Sequence, residues 1–183
     1  MRCFLCIEIK KSEIIKKILQ FQRELNSIDA KIKFVEEENF HLTLKFLGNI
    51  DPSVVDDIYS IMKKIPFKSF SICLKTVGSF PKTRPRVVWI GITAGQEEIL
   101  SIMAFLNQNL KSLGFKPEKR KPSVHLTVGR VKFIKDRNLF SNILEKWKDY
   151  SFGEMQVTAI QLKKSVLTPK GPIYTTLKEI KSL

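Results

Sequence analysis

The tripeptide His-Leu-Thr occurs twice in this chain, at residues 41–43 and 125–127, and the two copies contain both of its histidines. Each copy lies in a segment where polar and apolar residues alternate, which is typical of a β-strand with one buried face. Alternation places each histidine and its threonine on one face and the leucine on the other. We therefore expect the leucines to face a core and the two His/Thr pairs to face away from it.

The elements around the two copies follow the same order. Periodicity predicts a strand, a helix, the His-Leu-Thr strand, a helix and a third strand over residues 1–77, and the same order over 86–165. The histidines lie 84 residues apart, and this offset aligns Phe4 with Val88 in the first strands. The repeated order predicts an internal duplication, in which two lobes pack about a pseudo-two-fold axis. With a C-terminal strand near 173–177, residues 1–183 are expected to form a single bilobal domain.

Local signals predict where several elements begin and end. Ser12 is a residue type that caps helix N-termini, and Asp51-Pro52 has proline at the first helical position. Gly114 suits the C-terminus of a helix. Residues 155–162 are expected to form one strand because their apolar and polar residues alternate.

Two histidines that face one groove suit acid–base chemistry at phosphorus. The unperturbed pKa of histidine is about 6.5, so one imidazole can act as the base and the other as the acid of an in-line displacement. The hydroxyls of Thr43 and Thr127 can donate hydrogen bonds to the non-bridging oxygens. His41 and His125 are therefore candidate catalytic residues, although near-symmetry leaves open which one is the acid. The alternative is a satisfied surface histidine on each strand.

Charge and composition limit the partners of the chain. A net charge of +14 predicts a polyanionic partner, most simply nucleic acid, with a lysine-rich surface as the alternative. Neither a metal nor another cofactor is expected, because no further histidine or acidic cluster accompanies the pair. Cys3 and Cys6 have C-x-x-C spacing, but alternation places them on opposite faces, which predicts buried structural cysteines.

No apolar run approaches the roughly 18 residues of a transmembrane helix, so no membrane partner is expected. The apolar start at residues 3–7 is followed at once by Glu8, Lys10 and Lys11, unlike a signal peptide. A cytoplasmic location is the resulting expectation. The chain is also expected to act as a monomer, although no feature of the sequence determines its oligomeric state.

The two motif segments, residues 41–48 and 125–130, resemble the H-x-T-x motifs of the 2H phosphoesterase superfamily. Within it, the chain is similar to the RNA 2′,3′-cyclic phosphodiesterases of bacteria and archaea, which are also called 2′-5′ RNA ligases. The start at residues 1–4, the segment 85–89 and the ending 162–174 are also similar to that family. The resemblance spans nearly the whole chain.

This resemblance implies an α+β fold in which two antiparallel sheets line a central cleft, with helices outside. It implies metal-independent hydrolysis of RNA 2′,3′-cyclic phosphate ends, those of tRNA fragments among them, to 2′-phosphates. By the family's pattern, His41 is the proton donor to the departing 3′ oxygen and His125 is the proton acceptor that activates water. Thr43 and Thr127 would hold the phosphate. 2′-5′ RNA ligation, with an RNA 5′-hydroxyl in place of water, is the related transesterification.

Arg130 is a candidate phosphate ligand by the same resemblance. Alternation places it on the face opposite His125 unless the backbone is distorted at Gly129, so a structural ion pair is its alternative role. Lys45 has the same strand parity as His41 and is expected near the mouth of the cleft.

Other readings remain open. A non-catalytic RNA-binding module would keep the fold and the basic charge, and another 2H activity, such as 2′-5′ oligoadenylate cleavage, would share the chemistry. The basic segments 82–86, 116–121 and 163–164 are candidates to guide RNA, or are solvated loops. Tyr174 and Phe80 are candidates to stack on a base, with core packing as the alternative for Phe80.

Overall fold

A computed structural model describes residues 1–118 and 122–183. These residues form nine strands, and each of the two His-Leu-Thr segments begins one of them. The strands are β1 (Arg2–Glu8), β2 (Ala30–Phe34), β3 (His41–Asn49), β4 (Phe70–Phe80), β5 (Val87–Ile92), β6 (His125–Ile134), β7 (Ser151–Val157), β8 (Ala159–Thr168) and β9 (Gly171–Lys181). The helices are α1 (Ser12–Asn26), α2 (Val55–Met62), α3 (Gln96–Asn109) and α4 (Arg137–Trp147). Short 3-10 turns cover Glu37–Asn39, Pro52–Val54 and Leu110–Leu113.

The strands form two antiparallel lobes that join edge to edge. The first lobe has the order β3-β1-β8-β9, and the second has β6-β5-β4-β7, with β2 on the other side of β6. The lobes meet where Leu42 of β3 pairs with Leu126 of β6, so together they form one curled sheet. The expected α+β fold is confirmed, with the two expected antiparallel sheets joined through β3 and β6 into one.

Each lobe takes strands from both halves of the chain. Strand β4 pairs with β5 in the second lobe, and β8 returns from the second half to pair with β1 in the first. The helices are distributed in the same way: α2 and α3 pack on the first lobe, whereas α1 and α4 pack on the second. Neither half of the chain therefore contains a complete lobe. The boundaries of the sequence repeats, 1–77 and 86–165, stay a prediction.

The helices cover one face of the sheet because each carries an apolar stripe at helical spacing. The buried apolar residues are Ile14, Ile18, Phe21 and Leu25 in α1, and Ile99, Ile102, Met103 and Leu106 in α3. Leu42 and Leu126 lie in the same core at 1% and 0% exposure, as alternation predicts. The opposite side of the sheet, which carries His41 and His125, is called the cleft face below.

Two of the predicted helix ends are confirmed and one is wrong. Asp51 accepts a hydrogen bond from the Ser53 backbone at 2.9 Å, and Gly114 ends its helical turn with a φ of +84°. Ser12 is not a cap, because its backbone is already helical and Lys11 occupies the N-cap position without a side-chain hydrogen bond.

The expected single strand at 155–162 is also wrong. Strand β7 ends at Val157 and β8 begins at Ala159, so the chain passes from the second lobe to the first at Thr158. The alternation continues through this corner without glycine or proline, which is why it predicts one strand. The C-terminal strand expected near 173–177 lies within the longer β9, Gly171–Lys181. None of the described helices combines the length and the apolar character needed to span a membrane.

Candidate active site

His41 is oriented through both of its ring nitrogens. Its Nδ1 lies 2.7 Å from the backbone carbonyl of Asn39, which ends the turn before β3. A carbonyl can only accept, so Nδ1 carries the hydrogen and Nε2 of the neutral ring has a lone pair. The hydroxyl of Thr43 lies 3.1 Å from Nε2 and donates to it. Asn39 is itself held by its side-chain amide, which donates to the Pro172 carbonyl at 3.1 Å.

His125 also carries its hydrogen on Nδ1, because a backbone carbonyl accepts from that nitrogen. Its Nδ1 lies 3.2 Å from the backbone carbonyl of Ser123 and 3.3 Å from the Ser123 hydroxyl. Ser123 precedes His125 by two residues, as Asn39 precedes His41, so the orienting carbonyls also obey the 84-residue offset. Sequence reasoning missed both carbonyls, although that offset could have identified them.

The joint between the lobes brings the four predicted His and Thr residues together. Leu42 pairs with Leu126, and β3 and β6 run antiparallel. This register places His41 beside Thr127 and Thr43 beside His125 across the joint. Because both leucines face the core, all four polar side chains lie on the cleft face.

A β-bulge follows each motif at an equivalent position. In β3, Thr43 pairs with Cys6 but Lys45 pairs with Leu5, which leaves Leu44 as an extra residue. In β6, Thr127 pairs with Trp89 but Gly129 pairs with Val88, which leaves Val128 as an extra residue. An extra residue shifts strand parity by one, so the residues beyond each bulge change face.

The bulge moves Arg130 onto the cleft face. Its charge contributes to lowering the pKa of His41 and of His125, so the guanidinium lies within electrostatic reach of both rings. Alternation alone would place Arg130 opposite His125, but the exception foreseen from the sequence applies, because the bulge at Val128 distorts the backbone directly before Gly129. The exposed Arg130 is thus available to a phosphate in the cleft.

The matching bulge in β3 reverses the faces of Lys45 and Phe46, so that Lys45 points to the helix side and Phe46 to the cleft side. Lys45 is buried on the helix side, where Nζ donates to Asn107 Oδ1 at 2.6 Å and to the Lys116 carbonyl at 2.8 Å. The expectation that Lys45 lies at the cleft mouth is therefore wrong. Phe46 is 59% exposed, with its ring centroid 6.4 Å from that of Phe4 on the His41 side. At the 84-residue offset, Phe46 is equivalent to Arg130, so the two lobes share their His/Thr pairs and differ here.

Aromatic rings enclose His41. The ring centroid of Phe4 lies 4.9 Å from that of His41, and Tyr174 meets the same ring edge-on at 5.5 Å. Tyr174 and Phe4 also contact each other, at 4.9 Å. Tyr174, a predicted base-stacking residue, therefore packs against the imidazole. Phe80 does not pack in the core, because it is 41% exposed.

A nearly buried ion pair lies beside His41. Glu8, which pairs with His41 across β1 and β3, has its Oε1 2.6 Å from Nζ of Lys163. Lys163 also donates to the Thr176 hydroxyl at 3.1 Å. Lys163 is therefore not part of a solvated loop, because it lies in β8 with 7% exposure. Sequence reasoning missed the pair, since only the pairing of β8 with β1 brings these residues together.

The electrostatics of the cleft keep both imidazoles neutral near pH 7. Burial lowers the pKa of His41, the charges of Lys163 and Arg130 act in the same direction, and the Asn39 carbonyl and Glu8 oppose them. Burial also lowers the pKa of His125, with Arg130 acting the same way and the Ser123 carbonyl opposing. A phosphate bound between the rings would stabilise the imidazolium form and raise both pKa values.

The other predicted features have mixed outcomes. Lys82, Arg84 and Arg86 are exposed, whereas residues 119–121 of the basic segment 116–121 lie outside the described residues. Cys3 and Cys6 are buried and unpaired, and burial raises the pKa of Cys6 to about 12, which confirms the structural interpretation. In the described parts of the chain, no group of three or more His, Cys, Asp or Glu is arranged to hold a metal ion.

Comparison with known proteins gives consistent matches over the whole chain. Residues 2–181 match the model of the AKAP7 2′5′ RNA ligase-like domain. An RNA 2′,3′-cyclic phosphodiesterase of Methanocaldococcus jannaschii is 41% identical over 180 residues, which cover 98% of this chain and 99% of the relative. The protein of the same name from Aeropyrum pernix is 35% identical over 92% of this chain and 97% of its own.

Solved structures share the fold at lower identity. TT0787 of Thermus thermophilus has a TM-score of 0.82 at 24% identity, covering 100% of this chain and 98% of its own. E. coli LigT complexed with 3′-AMP has a TM-score of 0.81 at 22% identity, covering 99% and 97%.

Proposed function

Because the chain belongs to the 2′-5′ RNA ligase-like family of 2H phosphoesterases, we propose that it hydrolyses RNA 2′,3′-cyclic phosphodiester ends to 2′-phosphomonoesters. The observation that carries the proposal is the arrangement of His41 and His125. Both rings have Nδ1 fixed by a carbonyl two residues earlier, which leaves Nε2 as the nitrogen that can exchange a proton. The names of the relatives supply the RNA substrate, and the net charge of +14 suits it.

In this reaction the base and the acid act on opposite sides of phosphorus. Nε2 of His125 takes a proton from water, and the water oxygen attacks the phosphorus. The bond from phosphorus to the 3′ oxygen breaks, and His41 gives its Nε2 proton to that oxygen, which leaves a 2′-phosphate. The family's pattern assigns the acid to His41. The shorter Nδ1 contact supports this, at 2.7 Å against 3.2 Å for His125, because a stronger hydrogen bond favours the imidazolium.

The hydroxyls and the guanidinium would hold the phosphate in this scheme. Once Nε2 of His41 is protonated it can no longer accept from Thr43, so that hydroxyl becomes free to donate to a phosphate oxygen. Thr127 has the equivalent position beside His125, and Arg130 adds a positive charge on the same face. Donors aimed at the non-bridging oxygens stabilise the charge that accumulates there.

Replacing water by an RNA 5′-hydroxyl gives 2′-5′ ligation with the same proton transfers, and we include this transesterification in the proposal. We also propose that the protein acts as a monomer in the cytoplasm on RNA with cyclic phosphate ends. A non-catalytic RNA-binding module remains the alternative from another class, and 2′-5′ oligoadenylate cleavage the alternative within the superfamily.

An end-group assay tests the proposal. The protein is incubated in EDTA with an oligoribonucleotide that ends in a 2′,3′-cyclic phosphate, and the product is identified by mass and phosphorus NMR. We expect a 2′-phosphate end in the presence of the chelator. Binding that weakens with salt, without turnover and without any effect of His41→Ala or His125→Ala, would instead establish the RNA-binding module.

A further inference from the structure

A cavity of about 380 Å³ lies directly beside His125. It is formed by β4, β5, the start of α3 and the segment before β6. The lining residues used below are Thr76, Phe80, Trp89, Gln96, Ser123 and His125. Its volume is within the range of small-molecule sites, about 300–1,000 Å³.

One wall of the cavity is an aromatic platform. The ring of Phe80 stacks on Trp89, with centroids 5.1 Å apart and planes 28° apart, and meets His125 edge-on at 5.5 Å. An exposed aromatic face next to a basic cleft suits stacking with a nucleobase.

A residue with a strained backbone conformation lines the cavity. Thr76 is a non-glycine residue with a φ of +70°, in a bulge of β4 between Leu74 and Val77. Gly91 faces it, and a Cβ on Gly91 would lie 2.5 Å from Thr76 Oγ1. Such conformations are costly and cluster at ligand sites, where the surrounding structure maintains them.

The surroundings of the two histidines differ in a way that matters for the reaction. Phe4 and Tyr174 pack against the ring of His41, whereas His125 borders the cavity. In the proposed reaction His125 takes the proton of the nucleophile, so the cavity lies on the nucleophile's side. A water molecule needs neither a space of this size nor an aromatic wall.

We propose that this cavity binds the nucleoside that carries a 5′-hydroxyl, so that the 5′ end of a second RNA replaces water. This inference rests on the proposed function. The 5′ oxygen attacks phosphorus and its proton passes to His125, while the bond to the 3′ oxygen breaks and that oxygen takes the proton of His41. A 2′-5′ linkage forms, and no further reactant is consumed. Phe80 is then a specificity residue for ligation.

Product partition tests the inference. A cyclic-phosphate oligoribonucleotide is incubated with saturating adenosine, and the ratio of ligated to hydrolysed product is measured for two matched variants. Gln96→Trp fills the cavity from the first residue of α3, whereas Glu97→Trp adds the same side chain one residue later, outside the lining. We expect Gln96→Trp to lower the ratio about tenfold, the size expected for loss of one base–aromatic stack, and Glu97→Trp to leave it unchanged.

Three outcomes overturn the inference. One is wild-type protein that hydrolyses the cyclic end but forms no ligated product at saturating adenosine, which leaves the proposed function intact. Another is a ratio of ligated to hydrolysed product that stays unchanged in Gln96→Trp while the rates of ligation and hydrolysis both fall. The cavity would then bind the base next to the cyclic phosphate. The third is equal adenosine binding by Gln96→Trp and Glu97→Trp in saturation-transfer NMR. That binding measurement needs no turnover, so it decides the inference even if the hydrolysis assay fails.

Discussion

Leu42 and Leu126 pair across the joint between the lobes, and each lies between the histidine and the threonine of its motif. Both side chains are buried in the core, at 1% and 0% exposure. The spacing of the two imidazoles is therefore set by apolar packing on the opposite face of the sheet. Core residues that never contact a substrate should control the activity through this joint.

Leu126→Ala tests this coupling. Truncation of a buried leucine should destabilise the fold by about 2–5 kcal/mol, as should Ile58→Ala in α2, which serves as the matched control. Only Leu126→Ala should also lower the kcat of the folded protein, because only it loosens the joint between the motifs. Urea unfolding and turnover at a temperature where both variants are folded give the comparison, and equal kcat values would rule the coupling out.

The pH dependence of kcat/KM should have its maximum on the acidic side of about pH 6.5, the usual pKa of histidine. Activity requires one imidazole protonated and the other neutral, and burial lowers both pKa values in the free protein. Activity falls above the maximum because His41 loses its proton, and below it because His125 gains one. A bell-shaped profile centred above about pH 7.5 in a buffer series of constant ionic strength would be inconsistent with these pKa shifts.

Arg130→Met should move that profile to higher pH. The charge of Arg130 helps to lower the pKa of both histidines, so its removal lets both values rise. KM should also increase because a phosphate-facing charge is lost, whereas Arg130→Lys should keep the position of the profile. Lys16→Met, on the exposed side of α1, removes one charge far from the cleft and is the control for net charge. An unmoved profile in Arg130→Met would place the guanidinium out of reach of the imidazoles.

Glu8→Gln should move the profile in the opposite direction. Glu8 raises the pKa of His41, so its neutral replacement moves the high-pH limb to lower pH. The change also leaves the charge of Lys163 nearly buried without its partner, which should destabilise the fold by about 3 kcal/mol. Glu145→Gln, which breaks the exposed pair with Lys148, should leave stability nearly unchanged, because water screens that pair. Equal urea midpoints for the two variants would show that the Glu8–Lys163 ion pair does not stabilise the fold.

Strand alternation predicted the faces of His41, Thr43, His125 and Thr127 correctly because those residues precede the bulges. Beyond the bulges it failed, since a repeat of apolar and polar residues does not reveal an extra residue in one strand. In β6, Gly129 was the residue in the sequence that could have indicated the bulge. A Cβ there would lie 2.9 Å from Cγ2 of Ile32, so the tight approach of β2 to β6 favours glycine.

The residues that sequence reasoning missed come from distant strands. Lys163 meets Glu8 only because β8 crosses back to the first lobe, and Phe80 reaches His125 only because β4 pairs in the second. Local periodicity predicts which segments are strands but not which strands pair. The motifs were therefore predictable from the sequence, whereas their surroundings were not.

Turnover of a 2′,3′-cyclic-phosphate oligoribonucleotide by His41→Ala, His125→Ala and the double variant, in EDTA, tests the two-histidine site most directly. Each single variant should lose about 10²–10⁴-fold in kcat while circular dichroism shows that it remains folded. The double variant should lose much less than the product of the two single effects, because residues that act as a unit are not additive. A single variant that retains turnover within a few-fold of the wild type would contradict the account.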